Sequence, residues 1–208
     1  MTQRVIEEIL SQEEICSNHF KMKVKAPQIA KEAKPGQFVH IKWVSQLKGT
    51  DPLLRRPISI NGVNIDEGSI TIIYRVVGRG TKLLSQLRKG DKLDIMGPIG
   101  NGFSISQAKK KFLVVGGGMG IAPLLPIVKE LITRDKEVVL LLGAETKEQL
   151  LNLTEYQDLD LQLKVATVDG SAGQQGFVRR FGECRLCLYL WSIINDGYNS
   201  ELGKKIRD

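Results

Sequence analysis

Residues 54–60 read LRRPISI, residues 72–87 read IIYRVVGRGTKLLSQL and residues 95–103 read IMGPIGNGF. Arg56, Pro57, Ile58 and Ser59 close a strand-like run that the pattern predicts to end in a turn at Asn61-Gly62. Ile70 to Val77 alternates and is rich in β-branched residues, which predicts a second strand with Arg75 at its far end. Gly78 and Gly80 then release the chain into Thr81–Leu87, whose apolar spacing is helical, with Thr81 as the predicted N-cap. Such a helix start presents unpaired amides and the positive end of a dipole, and both favour a phosphate. A guanidinium at Arg56 and a hydroxyl at Ser59, one short strand apart, suit a diphosphate and the polar edge of a planar ring. The plainer reading is a barrel in which the arginines are surface charges and the glycines are turns. It fits each residue singly and fails for the ordered set.

Working outward, residues 4–26 predict an alternating strand pair, with His19–Val24 as its second strand. Pro35-Gly36-Gln37 is a turn, Phe38–Trp43 returns as a strand, and residues 45–55 form a polar loop into Arg56. Lys89-Gly90-Asp91 is a turn before a strand at Lys92–Met96, and Gly97–Phe103 is a closing loop. About six short strands and one helix make a closed antiparallel barrel. His19 and His40 lie within strands and far apart in sequence, as satisfied strand residues rather than ligands.

A second kind of unit begins after a boundary near residues 104–111. Phe112-Leu113-Val114-Val115 is a continuous apolar run, the mark of a parallel strand covered on both faces. It opens into Gly116-Gly117-Gly118-Met119-Gly120-Ile121-Ala122-Pro123 and a helix over Leu124–Arg134. Val138–Ala144 and Leu161–Thr167 are further strands, and Lys147–Leu151 starts a helix between them. This alternation is that of a doubly wound parallel sheet, which takes ligands at the carboxyl ends of its strands. Those ends carry Gly116 to Gly120, Gly143 to Glu145, and Thr167 to Ser171 with Asp169. Ile121 stands where GxGxxG has its last glycine, so that dinucleotide fingerprint is not met.

The net charge of +7 raises a nucleic-acid reading. Lysines and arginines are spread along the chain, Lys109-Lys110-Lys111 is the one tight cluster, and no nucleic-acid motif accompanies it. No stretch approaches a membrane span, and the N-terminus lacks the apolar core of a signal peptide, so a cytoplasmic protein is expected. Three cysteines, Cys16, Cys184 and Cys187, are too few for a disulfide framework. The CxxC spacing of the last two lacks the further ligands a metal site needs.

These motifs resemble those of the ferredoxin reductase-like superfamily and, within it, the family of dihydroorotate dehydrogenase B electron transfer subunits. The resemblance rests on Arg56-Pro57-Ile58-Ser59, Ile73-Tyr74-Arg75, Gly80-Thr81, the PGQFV of residues 35–39 and the GGGMGIAP of residues 116–123. It implies an FAD-binding barrel over residues 1–104 and an NAD-binding α/β domain over 109–178. It implies FAD contacts from Arg56, Pro57, Ile58, Ser59, Ile73, Tyr74, Arg75, Gly80 and Thr81. It implies NAD contacts from Gly116, Gly117, Gly118, Gly120 and Asp169. It implies an FMN-containing dihydroorotate dehydrogenase catalytic subunit as partner, in a heterotetramer. The implied function passes electrons from that subunit to NAD+ in pyrimidine biosynthesis. The alternatives are a flavin reductase subunit of another redox complex and an inactive flavin-binding remnant. No catalytic side chain is expected, because hydride transfer between flavin and nicotinamide needs no protein acid or base.

Beyond residue 178 the family pattern breaks. A strand ending in Cys-Gly-Pro and the cysteines of a [2Fe-2S] cluster are expected there, and residues 179–208 contain neither. Codons compatible with residues 180–203, read one base later, permit the missing Cys-Gly-Pro motif. A frame shift in the gene is therefore one account of the atypical tail, to be settled by the gene sequence.

Overall fold

The computed structural model describes residues 2–44 and 54–178. Six strands close an antiparallel barrel in the order β1-β2-β5-β4-β3-β6, and four parallel strands form a sheet in the order β10-β9-β8-β7. Both architectures agree with the sequence-based expectation.

β1 (Gln3–Cys16) is long enough to serve two neighbours. Its first half pairs with β6 (Lys92–Ile99) and its second half with β2 (His19–Lys25), so this one strand helps to close the barrel. A short helix, α1 (Pro27–Glu32), follows β2 and buries Ile29 and Ala30; the sequence reading missed it. β3 (Phe38–Trp43) pairs with β6 and with β4 (Arg56–Asn64). β5 (Ser69–Arg75) pairs with β4 and β2. Alternating apolar residues fill the interior, among them Met22, Val24, Val39, Ile41, Ile58, Ile60, Ile70, Ile72, Leu93 and Ile95. The expected turn at Asn61-Gly62 is not there. β4 runs through to Asn64, the turn falls at residues 65–68, and Asn61 is the extra residue of a bulge between the pairs Ile60↔Ile72 and Gly62↔Thr71.

α2 (Arg79–Ser85) starts two residues before the predicted helix. β7 (Lys111–Gly117), a 3-10 turn (Gly118–Ile121), α3 (Leu124–Thr133) and β8 (Glu137–Ala144) form the first parallel unit. A second 3-10 turn (Lys147–Gln149) and α4 (Leu153–Gln157) lead to β9 (Gln162–Thr167) and the two-residue β10 (Gln174–Gln175). The two cores meet at β5. Ile72 and Ile73 are adjacent and so point to opposite faces, Ile72 into the barrel and Ile73 into the core of the parallel domain.

Candidate functional site

Asp94 anchors Arg55, the residue just before the Arg-Pro-Ile-Ser segment. Asp94 is 7% exposed on β6 and takes bonds from both Arg4 and Arg55. Arg4 Nη2 lies 2.8 Å from Oδ2, Arg55 Nη2 bonds the same oxygen, and Arg55 Nη1 donates to the Asp94 carbonyl at 2.9 Å. Burial acts against the carboxylate, but the bonds and charges of the two arginines outweigh it and hold Asp94 below the usual range. Arg55 is thereby committed to Asp94, and Arg56 is the cation left for a ligand.

Arg56 lies over the first turn of α2. A Cβ built on Gly80 would stand 2.1 Å from Arg56 Nε and 2.4 Å from Cζ, so only glycine admits the guanidinium there. Arg56 Nη1 also bonds the Leu54 carbonyl. Thr81 is the third residue of the helix rather than its cap; Gly78 holds the cap position with extended backbone. The Thr81 hydroxyl still reaches back, accepting from the amides of Val77 at 2.9 Å and Gly78 at 3.2 Å and donating to the Gly78 carbonyl at 3.0 Å. The tight Gly78–Thr81 entry therefore comes from the predicted residue acting at a different position.

At the other end of α2, Gln12 Nε2 donates to the carbonyls of Leu84, Ser85 and Leu87 at 3.1, 3.2 and 2.7 Å. Its Oε1 accepts from the Tyr74 hydroxyl at 3.0 Å. Tyr74 is buried and stacks on Phe20 with centroids 5.7 Å apart, and burial pushes its phenol well above the ordinary range. Of the Ile73-Tyr74-Arg75 run, Ile73 and Tyr74 are thus committed to the two cores and Arg75 alone is exposed at the strand end. Ile73 and Tyr74 can meet a ligand only through their backbone. Ile58 is a barrel core residue, while Pro57 is exposed and Ser59, paired with Phe38 of β3, is partly open.

The glycines after β7 divide into two kinds. A Cβ at Gly116 would meet Leu124 Cδ1 at 2.4 Å, so this glycine lets α3 pack against the strand. Gly117 and Gly118 are exposed: Gly118 has φ +51° with nothing within 4 Å, and the nearest atom to a Cβ on Gly117 is the Gly143 carbonyl at 3.8 Å. They offer bare backbone at the carboxyl edge of the sheet, where a dinucleotide can approach closely. Gly120 lies in the 3-10 turn that follows. Beside them, the Asp169 amide donates to the Glu145 carbonyl at 3.2 Å. The Asp169 carboxylate accepts from the Ser171 amide and hydroxyl at 3.0 and 2.6 Å, which holds it below the usual range.

Among the described residues, Asn61 and Lys21 each make a polar contact from the barrel to the parallel unit, and the sequence reading has neither. Asn61 Nδ2 donates to the Ala122 carbonyl at 2.7 Å, and Lys21 Nζ bonds Glu155 at 3.1 Å. The signal for the first is Pro126, which has no N–H to carry α3 back to the Ala122 carbonyl.

The arrangement fits a diphosphate beside Arg56 at the entry to α2, and a dinucleotide on Gly117 and Gly118. It does not fit an iron–sulfur cluster. Among the described residues no three of His, Cys, Asp and Glu gather as metal ligands, and Cys16 is free. Cys184, Cys187 and the tail that carries them lie outside the described residues.

Family models match two parts of the chain: an oxidoreductase FAD-binding domain over residues 7–103 and an oxidoreductase NAD-binding domain over residues 114–180. The chain is 41% identical over 164 residues to the electron transfer subunit of dihydroorotate dehydrogenase B (NAD(+)) from Desulforamulus reducens, covering 79% of this chain and 62% of that protein. It is 43% identical over 172 residues to the Streptococcus mutans subunit of the same name, covering 82% and 64%. To the Lysinibacillus sphaericus subunit it is 39% identical over 179 residues, covering 85% and 68%. The chain thus spans somewhat under two thirds of the first two relatives. Among solved structures, an NADH-dependent reduced ferredoxin-NADP oxidoreductase studied for flavin-based electron bifurcation superposes with a TM-score of 0.72 and 35% identity, over 83% of this chain and 60% of that one. A Neisseria gonorrhoeae ferredoxin NADP+ reductase with bound FAD and NADP shares the fold, with a TM-score of 0.69 and 19% identity over 83% of this chain and 72% of that one.

Proposed function

We propose, since this chain belongs to the family of dihydroorotate dehydrogenase B electron transfer subunits, that it passes electrons from an FMN-containing dihydroorotate dehydrogenase catalytic subunit to NAD+ in pyrimidine biosynthesis. In this reading residues 1–104 hold FAD, residues 109–178 hold NAD(H), and the partner joins in a heterotetramer. The observation that carries it is the Arg56 guanidinium resting on Gly80, beside a strand that is bonded directly to the end of the glycine loop.

Bound FAD supplies a carrier that takes electrons singly or in pairs and exchanges hydride with a nicotinamide. Arg56 neutralises the diphosphate and the first turn of α2 receives it. The partly open Ser59 hydroxyl would donate to a polar edge of the ring, and the exposed Arg75 would add positive charge at its rim. Gly117, Gly118 and Gly120 let NAD lie against the backbone, with Asp169 at the adjacent strand end. Glu145, Glu148 and Asp169 outnumber Lys147 along that edge and make it acidic. An acidic edge disfavours the extra phosphate of NADP. Bound FAD would supply the hydride chemistry, and the bare backbone of Gly117 and Gly118 would hold the nicotinamide that exchanges with it. No cluster step is assigned to the described residues.

The chain's own surroundings are read as cytoplasmic: Cys16 is unpaired, and no helix among the described residues is long and apolar enough to cross a membrane. Co-expression with the FMN-containing catalytic subunit, followed by gel filtration and flavin analysis, tests the reading. One species with FAD and FMN in equal amounts supports it. A chain that elutes alone and without FAD contradicts it.

A further inference from the structure

We infer that Asn61 is a positioning residue, fastening the barrel to the glycine loop and so setting where a flavin held beside Ser59 meets a nicotinamide held at Gly117 and Gly118. The inference rests on the reading above for its consequence, but the fastening itself stands on geometry.

The need for a partner starts at Pro126. Ala122 lies just before α3, whose N-cap is Pro123, and the residue four on from it is Pro126, which has no N–H to carry the helix back to the Ala122 carbonyl. Ala122 is 2% exposed, so water is a poor substitute. A buried carbonyl without a donor is costly, and the chain must bring one from elsewhere. Asn61 Nδ2 is that donor at 2.7 Å, on a residue itself 2% exposed.

The sequence of β4 aims it. Ile58 and Ile60 point into the barrel core, which puts Ser59 and Asn61 on the opposite face. The bulge at Asn61 breaks the ladder there and re-aims the side chain towards the parallel domain. At the other end of the bond, Ala122 directly follows the 3-10 turn Gly118–Ile121, and its amide bonds the Met119 carbonyl at 3.1 Å. A shift of Ala122 therefore moves the loop that carries Gly118 and Gly120. The second polar contact between the units, Lys21–Glu155, joins side chains about a third exposed and holds weakly by comparison.

The test uses the FAD-loaded chain with Asn61→Leu, which keeps size and removes the donor, and Asn61→Asp, whose carboxylate faces the carbonyl oxygen. Pro126→Ala in the Asn61→Leu background returns a main-chain donor to Ala122. FAD affinity is expected to persist in all three. Amide exchange over residues 116–122 should quicken about tenfold in the single variants and recover protection in the double variant. The limiting rate of flavin reduction by NADH should fall about 10- to 100-fold, with a small change in half-saturation, because a displacement near 1 Å has that effect on transfer. Unchanged exchange in Asn61→Leu overturns the inference, and so does an unchanged reduction rate. A parent chain that holds FAD but is not reduced by NADH contradicts the proposed function instead, and exchange then decides the role of Asn61 alone.

Discussion

Replacing Gly80 with alanine separates the ligand site from the fold. The added methyl carbon would stand 2.1 Å from Arg56 Nε, 2.4 Å from Cζ and 2.5 Å from Nη2, all far closer than contact distance. The backbone has no reason to yield, because the obstructing atoms are the far end of a flexible side chain. Arg56 must swing away from the first turn of α2. Stability should hold or rise, since alanine is favoured over glycine inside a helix by about 1 kcal/mol. Affinity should fall, because a charge-assisted hydrogen bond to the diphosphate is worth about 1.5–3 kcal/mol, or about 10- to 150-fold in Kd. Isothermal titration of the apoprotein with FAD measures the loss, and a melting curve of the same samples checks the fold. Arg56→Ala should show a similar loss, and the double variant should be no weaker than Arg56→Ala, because both changes remove one interaction. A Gly80→Ala protein that binds FAD within about twofold of the parent would refute the reasoning.

Two further predictions concern what supports the site. Gln12→Leu leaves three carbonyls at the end of α2 and the Tyr74 hydroxyl without their partner, and should cost about 1–3 kcal/mol, seen as a melting temperature several degrees lower; an unchanged melting curve would show that water replaces it freely. Asp94 has its carboxyl lowered by Arg4 and Arg55 despite burial, so its stabilisation is present above the ordinary carboxylate range and is lost as pH falls through the folded value. Asp94→Asn should therefore be about 1.5–3 kcal/mol less stable at neutral pH in urea titrations, with the gap closing towards pH 3; a gap that stays constant with pH would assign the effect to packing.

The first parallel unit is legible because β7 and β8 are continuous apolar runs that open into glycine, a pattern with few other outcomes. The barrel is legible from alternation, and Arg56 and Gly80 fall within one ordered set of motifs whose members meet in the fold. What local patterns missed were features decided across the fold. Asn61-Gly62 looks like a turn, yet Asn61 sits in a bulge and donates to the Ala122 carbonyl of the other unit. Thr81 looks like a cap because its hydroxyl satisfies the amides of a helix start, and it does so from the third position. Tyr74 sat in a motif of expected ligand contacts, but its phenol is committed to Gln12. Helix α1 escaped because six residues with two buried side chains leave too short a pattern to see.

If this chain binds FAD and exchanges hydride with NAD(H), the bound flavin itself reports it. Anaerobic titration of the FAD-loaded chain with NADH, followed in the visible flavin band, tests it most directly. Bleaching of the bound flavin by NADH is the predicted result. Flavin that stays bound and oxidised in excess NADH would contradict the account.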